Sequence, residues 1–504
     1  MARPRNLREL VLRTLAGPAT LDVGRRPHDA GLDEAVVRGA MELALRTGET
    51  VLSLGAAAAE VVAAILGITR AFGLVGCQVD VTFTAITVSY DRGGASVPIT
   101  VMRVVTARVD DYGRLGRVMQ LAREVAVGTD PAGGTGPTGR TGPAERIEPD
   151  DRTAHVDRPE PAVSVADPGG ALLRLERAHA RLDEIVTAPH PYRRGIVTVV
   201  LAVMAAGVAF LLGGGPGVAV VAGATTALID HALWRLGRWG LPAFFRQAVG
   251  AAIATLVAVG LWLVVPLLPV DLAQFPPSLV VASGIVVLLA GLSLVGSAED
   301  AISGFPVTAG GRAFEVVVLT IGIVAGIGAV LDVARRAGVP LEIIEVPTNT
   351  SPLVVQALSA AVVASAWGIA SYARPRAALV AAVAGGVAWV IYAVGVDAGL
   401  GVAVASAAAA SVIGFLSESL GSRLHVPTIV VSICGIVPLL PGLAIYRALF
   451  LLVTEPSATG GLGSGATGLL SAAMVGLGLA AGVTLGEFLA ASLARLPRRS
   501  DPPG

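Results

Sequence analysis

Lysine is missing from this chain altogether: all 37 of its basic residues are arginine. A phosphate loop of the Walker type needs its lysine, so nucleotide hydrolysis by that route is excluded. Cysteine is nearly as scarce, with Cys77 and Cys434 far apart among 504 residues. Two such residues build no disulfide framework and read as unpaired small apolar side chains. No Cys/His cluster offers metal-ligand spacing, so neither a metal nor another cofactor is expected. The opening stretch MARPRNLRELVLRTLAG has no uninterrupted apolar core, and no signal peptide is expected from it. Charge is thin as well: charged residues are 15% and hydrophobic residues 54%, with a mean hydropathy of +0.73. That composition is far from an ordinary soluble domain.

The charge that is present lies mostly at one end, with 24 of the 37 arginines before position 195. Residues 1–128 read as a small soluble α+β domain on the cytoplasmic side. Helical spacing runs over 32–46 and 56–72, and the alternation Val79, Val81, Phe83, Ala85 predicts a strand. The turn Asp91-Arg92-Gly93-Gly94 and a β-rich run over 97–109 predict a hairpin, and Asp110 is placed to cap a closing helix through Val127. No basic stripe in this domain suggests nucleic acid. Residues 129–168, rich in Gly, Pro and Thr, read as a disordered linker. Residues 169–195 read as an amphipathic linker helix with Leu172, Leu175, Leu182 and Ile185 on one face.

From Ile196 onward, ten apolar runs recur at membrane-spanning length, which takes about 20 residues for about 30 Å of hydrocarbon. The fold class is therefore a polytopic α-helical membrane protein of about ten transmembrane helices after a small α+β domain. Residues 196–331 form a first five-helix half and 354–492 a second. Between them lies an extracytoplasmic connection, 332–353, and after them a cytoplasmic tail, 493–504. With the N-terminus inside, the short inner loops carry eleven arginines and the outer ones only Arg335 and Arg336. That bias places both termini in the cytoplasm.

The ninth run contains Pro438, Pro441 and Gly442 in its middle, followed by Tyr446 and Arg447. Each proline removes a backbone donor and clashes with the preceding turn, so the helix must break or kink. Freed backbone groups survive in hydrocarbon only where protein or a water-filled cavity satisfies them, which makes a broken span a candidate substrate site. The fourth run, 278–297, continues into Gly304-Phe305-Pro306, and both places read Pro, five residues, then Arg-Ala. A break in the fourth run of each set of five, in opposite orientations, is the plan of two inverted halves.

Ionisable groups at membrane depth cost at least about 2.5–3.5 kcal/mol, so each needs a partner or a purpose. Arg312 and Glu315 stand three apart and can form a structural pair on a helix; Arg447 is assigned a similar structural role. Glu299 and Asp300 cannot share a helical face, and one of them is the proton-coupling candidate, with a solvated inner loop as the plain alternative. Asp230-His231 reads as packing near the interface, Glu418 as loop-exposed, and Glu487 as snorkelling to the surface. Gly463-Ser464-Gly465 reads as a linker rather than a nucleophile, and Gly395-Val396-Asp397 lacks the second aspartate of an aspartyl protease.

Several motifs resemble those of the bacterial threonine/serine exporter family over nearly the whole chain. They are Gly48-Glu49-Thr50 with Leu54-Gly55-Ala56-Ala57-Ala58-Ala59-Glu60-Val61, and Val81 through Ser89 in the soluble part. In the membrane part they are Asp300 through Glu315, and Gly435-Ile436-Val437-Pro438-Leu439-Leu440-Pro441-Gly442 with Tyr446-Arg447. The resemblance implies export of L-threonine and L-serine driven by the proton motive force. Substrate, protons and the bilayer are then the partners, and self-association is left open. The substrate-binding candidates are Gly304, Pro306, Thr308, Pro441, Gly442 and Tyr446, with N–H groups of the half-helices after each proline receiving the carboxylate. The competing class is an intramembrane enzyme, or a sensor signalling through the soluble domain.

Overall fold

The computed structural model describes residues 32–92, 97–106, 108–128, 168–264, 276–289, 291–339, 351–424, 426–454 and 461–494. The expected linker at 129–168 apart from Pro168, half of the connection at 332–353, the turn at Gly93-Gly94 and the tail from 495 lie outside the described residues.

The soluble domain opens with α1, Glu34–Ser53, whose first turn is capped where the Asp33 carboxylate accepts from Ala35 N–H at 2.7 Å. Its apolar face, including Val37, Leu45 and Leu52, is buried against α2, Ala58–Ala71. Each such Leu or Val contributes roughly 1.5–3 kcal/mol by leaving water. A three-stranded antiparallel sheet follows, ordered β1 (Gln78–Thr82), β2 (Ala85–Tyr90), β3 (Ile99–Val104). The alternation predicted as one strand is thus two, joined by a tight turn at Phe83-Thr84 in which Phe83 takes a left-handed φ of 53°. The buried set changes parity there, from Val81 to Ile86, Val88 and Tyr90. Period-2 patterning cannot reveal a two-residue turn whose own residues continue the alternation. Helix α3, Tyr112–Val127, is capped by Asp111 rather than Asp110 and ends on Gly128 at φ 79°. Helix α4, Pro168–Thr187, lays Leu175, Leu182 and Ile185 onto this domain, packing against α1 and α3. Arg46 reaches across to pair with Asp183 and to hydrogen-bond His179.

The bundle runs α5 (Arg194–Leu211), α6 (Pro216–Arg238), α7 (Ala243–Val264), α8 (Pro277–Gly284), α9 (Gly291–Ile302), α10 (Pro306–Arg336), α11 (Leu353–Ala370), α12 (Pro375–Asp397), α13 (Val402–Leu424), α14 (Thr428–Ile436), α15 (Gly442–Thr454) and α16 (Gly461–Ala494). Among the described residues eight helices are long and apolar enough to span a membrane, or ten if each of two bent pairs is one span. Proline at the first helical position opens α6, α8, α10 and α12 without cost, because that N–H has no helical partner anyway. The Gly463-Ser464-Gly465 stretch, expected to be a linker, belongs to the first turn of α16. Asp230 pairs with Arg194 and accepts from Thr198 Oγ1 at 2.7 Å, while His231 is exposed, with Arg235 Nη1 3.3 Å from its Nε2 and the Trp234 ring 6.0 Å away.

The two bent pairs share one construction. In the first, α8 tightens into a 3-10 turn, Val286–Leu288, then Leu289 is extended at φ −74°, ψ 125° before α9 begins. In the second, α14 tightens into Val437–Leu439, then Leu440 is extended at φ −62°, ψ 134° before α15. The bends are 50° and 43°. This corrects the sequence reading of the first break. Pro306 interrupts nothing: it starts α10, just after Gly304 turns the chain at φ 89°. The counterpart of Pro441-Gly442 lies near Leu289 and Gly291, in a stretch without proline, so the Pro-to-Arg echo aligned two inequivalent places.

The bends touch each other. A Cβ on Gly442 would come within 2.8 Å of Leu289 Cβ, and one on Gly291 within 3.0 Å of Leu440 Cβ. Around this crossing, α7 packs on α10 and α13 on α16, α5 meets α11, α9 meets α16, and α10 meets α15. Small-residue seams let backbones approach: Gly322 and Gly326 of α10 lie against α7 carbonyls, and Gly478, Gly482 and Gly486 of α16 against α13 carbonyls. With 31 and 34 residues, α10 and α16 run about 46 and 51 Å at 1.5 Å per residue, longer than the hydrocarbon core needs.

Candidate functional site

A cavity of about 1500 Å³ lies between the soluble domain and the bundle. Its domain wall includes Glu60 of α2 and Arg117 and Arg123 of α3. Its bundle wall includes Ser293 and Glu299 of α9, Ser432 and Ile436 of α14, Glu418 of α13 and Glu487 of α16. The lining takes in two helix termini of opposite sense, the first turn of α9 (Leu292, Ser293) and the last turn of α14 (Ile433, Ile436). A helix N-terminus carries partial positive charge and unpaired N–H groups, and a C-terminus carries partial negative charge and unpaired carbonyls. A zwitterion has both complements.

Carboxylates gather in the cavity. Burial first, then the negative charges of Glu299 and Glu487, push the Glu60 carboxyl from 4.5 up to about 8, against the pull of the Ala57 backbone and Arg123. Glu299 and Asp300 divide their tasks as adjacent helical positions must. Glu299 faces the cavity, while Asp300 is wholly buried toward the soluble domain. There its Oδ1 accepts from Ala58 N–H at 2.8 Å, and its Oδ2 lies 3.2 Å from Arg312 Nη1. Asp300 thereby caps the first turn of α2, a helix with no capping side chain of its own. Arg312 Nη2 donates to the Ala56 carbonyl at 2.7 Å.

The expected Arg312–Glu315 pair is not formed. Arg312 takes Asp300, and Glu315 takes Arg108 of the soluble domain at 3.5 Å. Helical spacing made the neighbour available; tertiary packing offered each residue a partner on another element. Arg447 has no carboxylate partner among the described residues. The six substrate-binding candidates fall in three places, none of them on the cavity lining. Gly304 and Pro306 form the turn into α10, and the Thr308 hydroxyl donates to Val81 O at 2.9 Å and accepts from Phe83 N–H at 3.0 Å. Pro441 and Gly442 sit at the second bend, and Tyr446 packs in an apolar cluster with Leu449 and Phe450. Sequence reasoning missed Glu60, Ser293, Ser432 and Phe83, and set Glu418 and Glu487 aside as surface residues. Glu60 carried a legible signal, an acid inside an alanine-rich helical run. Ser293 and Ser432 carried none, because nothing local marks a lone serine in an apolar run as one that lines a cavity.

The eight to ten helices of spanning length among the described residues define a multi-pass membrane protein. Residues 42–132 and 170–334 match the family described as "Putative threonine/serine exporter", and residues 356–489 match "Threonine/Serine exporter, ThrE". The chain is 35% identical over 479 residues to a Mycobacterium tuberculosis protein named "Probable threonine/serine exporter", covering 93% of this chain and 80% of that one. It is 33% identical over 475 residues to the Corynebacterium glutamicum "Threonine/serine exporter", covering 92% and 85%. No solved structure matches it. The chain belongs to the threonine/serine exporter family, a family of exporters rather than enzymes.

Proposed function

We propose that this protein is a secondary transporter that exports small hydroxy amino acids, L-threonine and L-serine, from the cytoplasm of a bacterium using the proton motive force. The single observation that carries the reading is the cavity lining, which takes in both the first turn of α9 and the last turn of α14. The α9 N–H groups suit the substrate carboxylate, and the freed carbonyls after α14 suit its ammonium. Ser293 and Ser432 also line the cavity and offer polar partners for a substrate hydroxyl. A site that bonds the hydroxyl rejects analogues lacking it, because buried polar groups would be left unpaired.

Energy coupling is assigned to Glu299, with Glu487 and Glu60 as its neighbours in the cavity. Asp300, tied to Arg312, is a docking residue and not the proton carrier. The side of the cavity is cytoplasmic: the arginine bias of the short loops supports both termini inside. The two sets of five spans form inverted halves, a reading supported by the like construction of the bends and by the equivalent seams α7–α10 and α13–α16.

The test is uptake of radiolabelled threonine into inverted membrane vesicles, where an exporter runs inward. An imposed proton gradient should drive threonine and serine uptake but not valine. Glu299→Gln should lose the gradient-driven part while threonine–threonine exchange persists. Equal handling of valine and threonine would refute the hydroxyl assignment, and full gradient-driven uptake by Glu299→Gln would remove that residue from coupling.

A further inference from the structure

Resting on the exporter reading of the cavity, we propose that the soluble domain is a hinged cover of the transport cavity: it pivots where residues 188–192 meet 371–373 and is latched on the Asp300–Arg312 pair. The domain grips both halves of the bundle, and the two grips differ in kind.

The pivot is covalent and close-packed. The chain itself crosses there, between the end of α4 and the start of α5. Arg114 Nη2 donates to Ala188 O at 2.7 Å, and the Tyr192 hydroxyl donates to Ala373 O at 2.9 Å. His190 stacks on Tyr372 with ring centroids 4.3 Å apart, and Tyr112 N–H donates to Ser371 O at 3.0 Å. Gly113 lies so close to the Tyr372 carbonyl that no side chain fits between them. Tyr372 itself holds a left-handed φ of 60°, which shapes the tight turn that receives α3.

The latch is polar and reversible. From the domain it uses neutral backbone groups: Ala58 N–H and Ala56 C=O on the ion pair, Phe83 N–H and Val81 C=O on Thr308. Both charges of the pair, Asp300 and Arg312, belong to the bundle. Lifting the domain therefore strands no lone charge, since the pair stays together and water can replace the backbone groups. The added Arg108–Glu315 contact, at 3.5 Å with Glu315 45% exposed, is screened and weak. Exchange between the two faces of a transporter requires one half to move against the other. A domain bound rigidly to both would oppose that motion, so one grip must release, and the latch is the grip built to do so.

The experiment uses the full chain in liposomes, with Cys77→Ser and Cys434→Ala as background. A latch tether, Phe83→Cys with Gly311→Cys, is favoured because a Cβ on Gly311 would lie 2.8 Å from the Phe83 ring. A pivot tether, His190→Cys with Tyr372→Cys, joins residues whose rings stack with centroids 4.3 Å apart. Oxidation of the latch tether should abolish threonine exchange and reduction should restore it, whereas the oxidised pivot tether should continue to transport. Separately, Ser293→Cys in the cavity should react faster with a bulky maleimide when Thr308→Val removes two of the four latch hydrogen bonds, whatever the cargo is. Undiminished exchange by the oxidised latch tether, or loss of exchange by the oxidised pivot tether, would overturn the proposal. Absence of threonine movement in every form, with labelling still accelerated by Thr308→Val, would reject the exporter reading and leave the cover standing.

Discussion

Replacing Arg312 by alanine leaves Asp300 wholly buried with a single remaining donor, the Ala58 N–H. Removing one partner of a buried pair costs about 3–5 kcal/mol, because an uncompensated charge remains. At 1.4 kcal/mol per tenfold, that weakens domain docking by more than a hundredfold. The double variant Asp300→Asn/Arg312→Met removes both charges and should recover most of the loss, since replacing a buried pair by uncharged groups is often near neutral. The exposed Arg38–Glu34 pair serves as the comparison, with about 0.3–0.5 kcal/mol expected for an i, i+4 surface pair. The assay is a thermal-stability cycle on the purified full chain in detergent, using Arg312→Met, Asp300→Asn and the double variant, with Arg312→Ala measured beside it. A coupling between the two sites no larger than that of Arg38–Glu34 would refute the claim that this pair anchors the domain.

Three further outcomes are expected. Gly482→Val on α16 should abolish folded yield by size-exclusion chromatography, because its side chain would overlap the Ala407 carbonyl, while Gly463→Ala, which meets open space, should be neutral. Glu60 has a folded-state pKa raised from 4.5 to about 8, so its contribution is fully present below 4.5 and lost as pH rises toward 8. Glu60→Gln should therefore flatten the decline in thermal stability across that window, and an unchanged slope would reject its burial in the cavity wall. A reporter active only outside the membrane should be silent when fused after Arg376 and active after Asp397; the reverse pattern would invert the topology.

Sequence alone determined the features that depend on composition and local chemistry. Uninterrupted apolar length marked the spans, because every backbone group in hydrocarbon must be satisfied within its own helix. Pro438 and Pro441 located one bend, since proline removes a donor wherever it stands. Helical geometry separated Glu299 from Asp300 before any coordinates were known. The other bend was illegible: Leu289 is an ordinary residue whose extended conformation is set by the segment crossing it, with Leu440 and Gly442 packed against Gly291 and Leu289. Arg312 and Glu315 looked like a local pair and instead took Asp300 and Arg108, since a buried charge selects its partner by three-dimensional packing. Thr308 looked like a substrate ligand and became a docking contact for Val81 and Phe83, more than two hundred positions away. The cavity belongs wholly to tertiary structure. Its walls come from α2, α3, α9, α10, α12, α13, α14 and α16, and no local pattern records which helices will enclose the space.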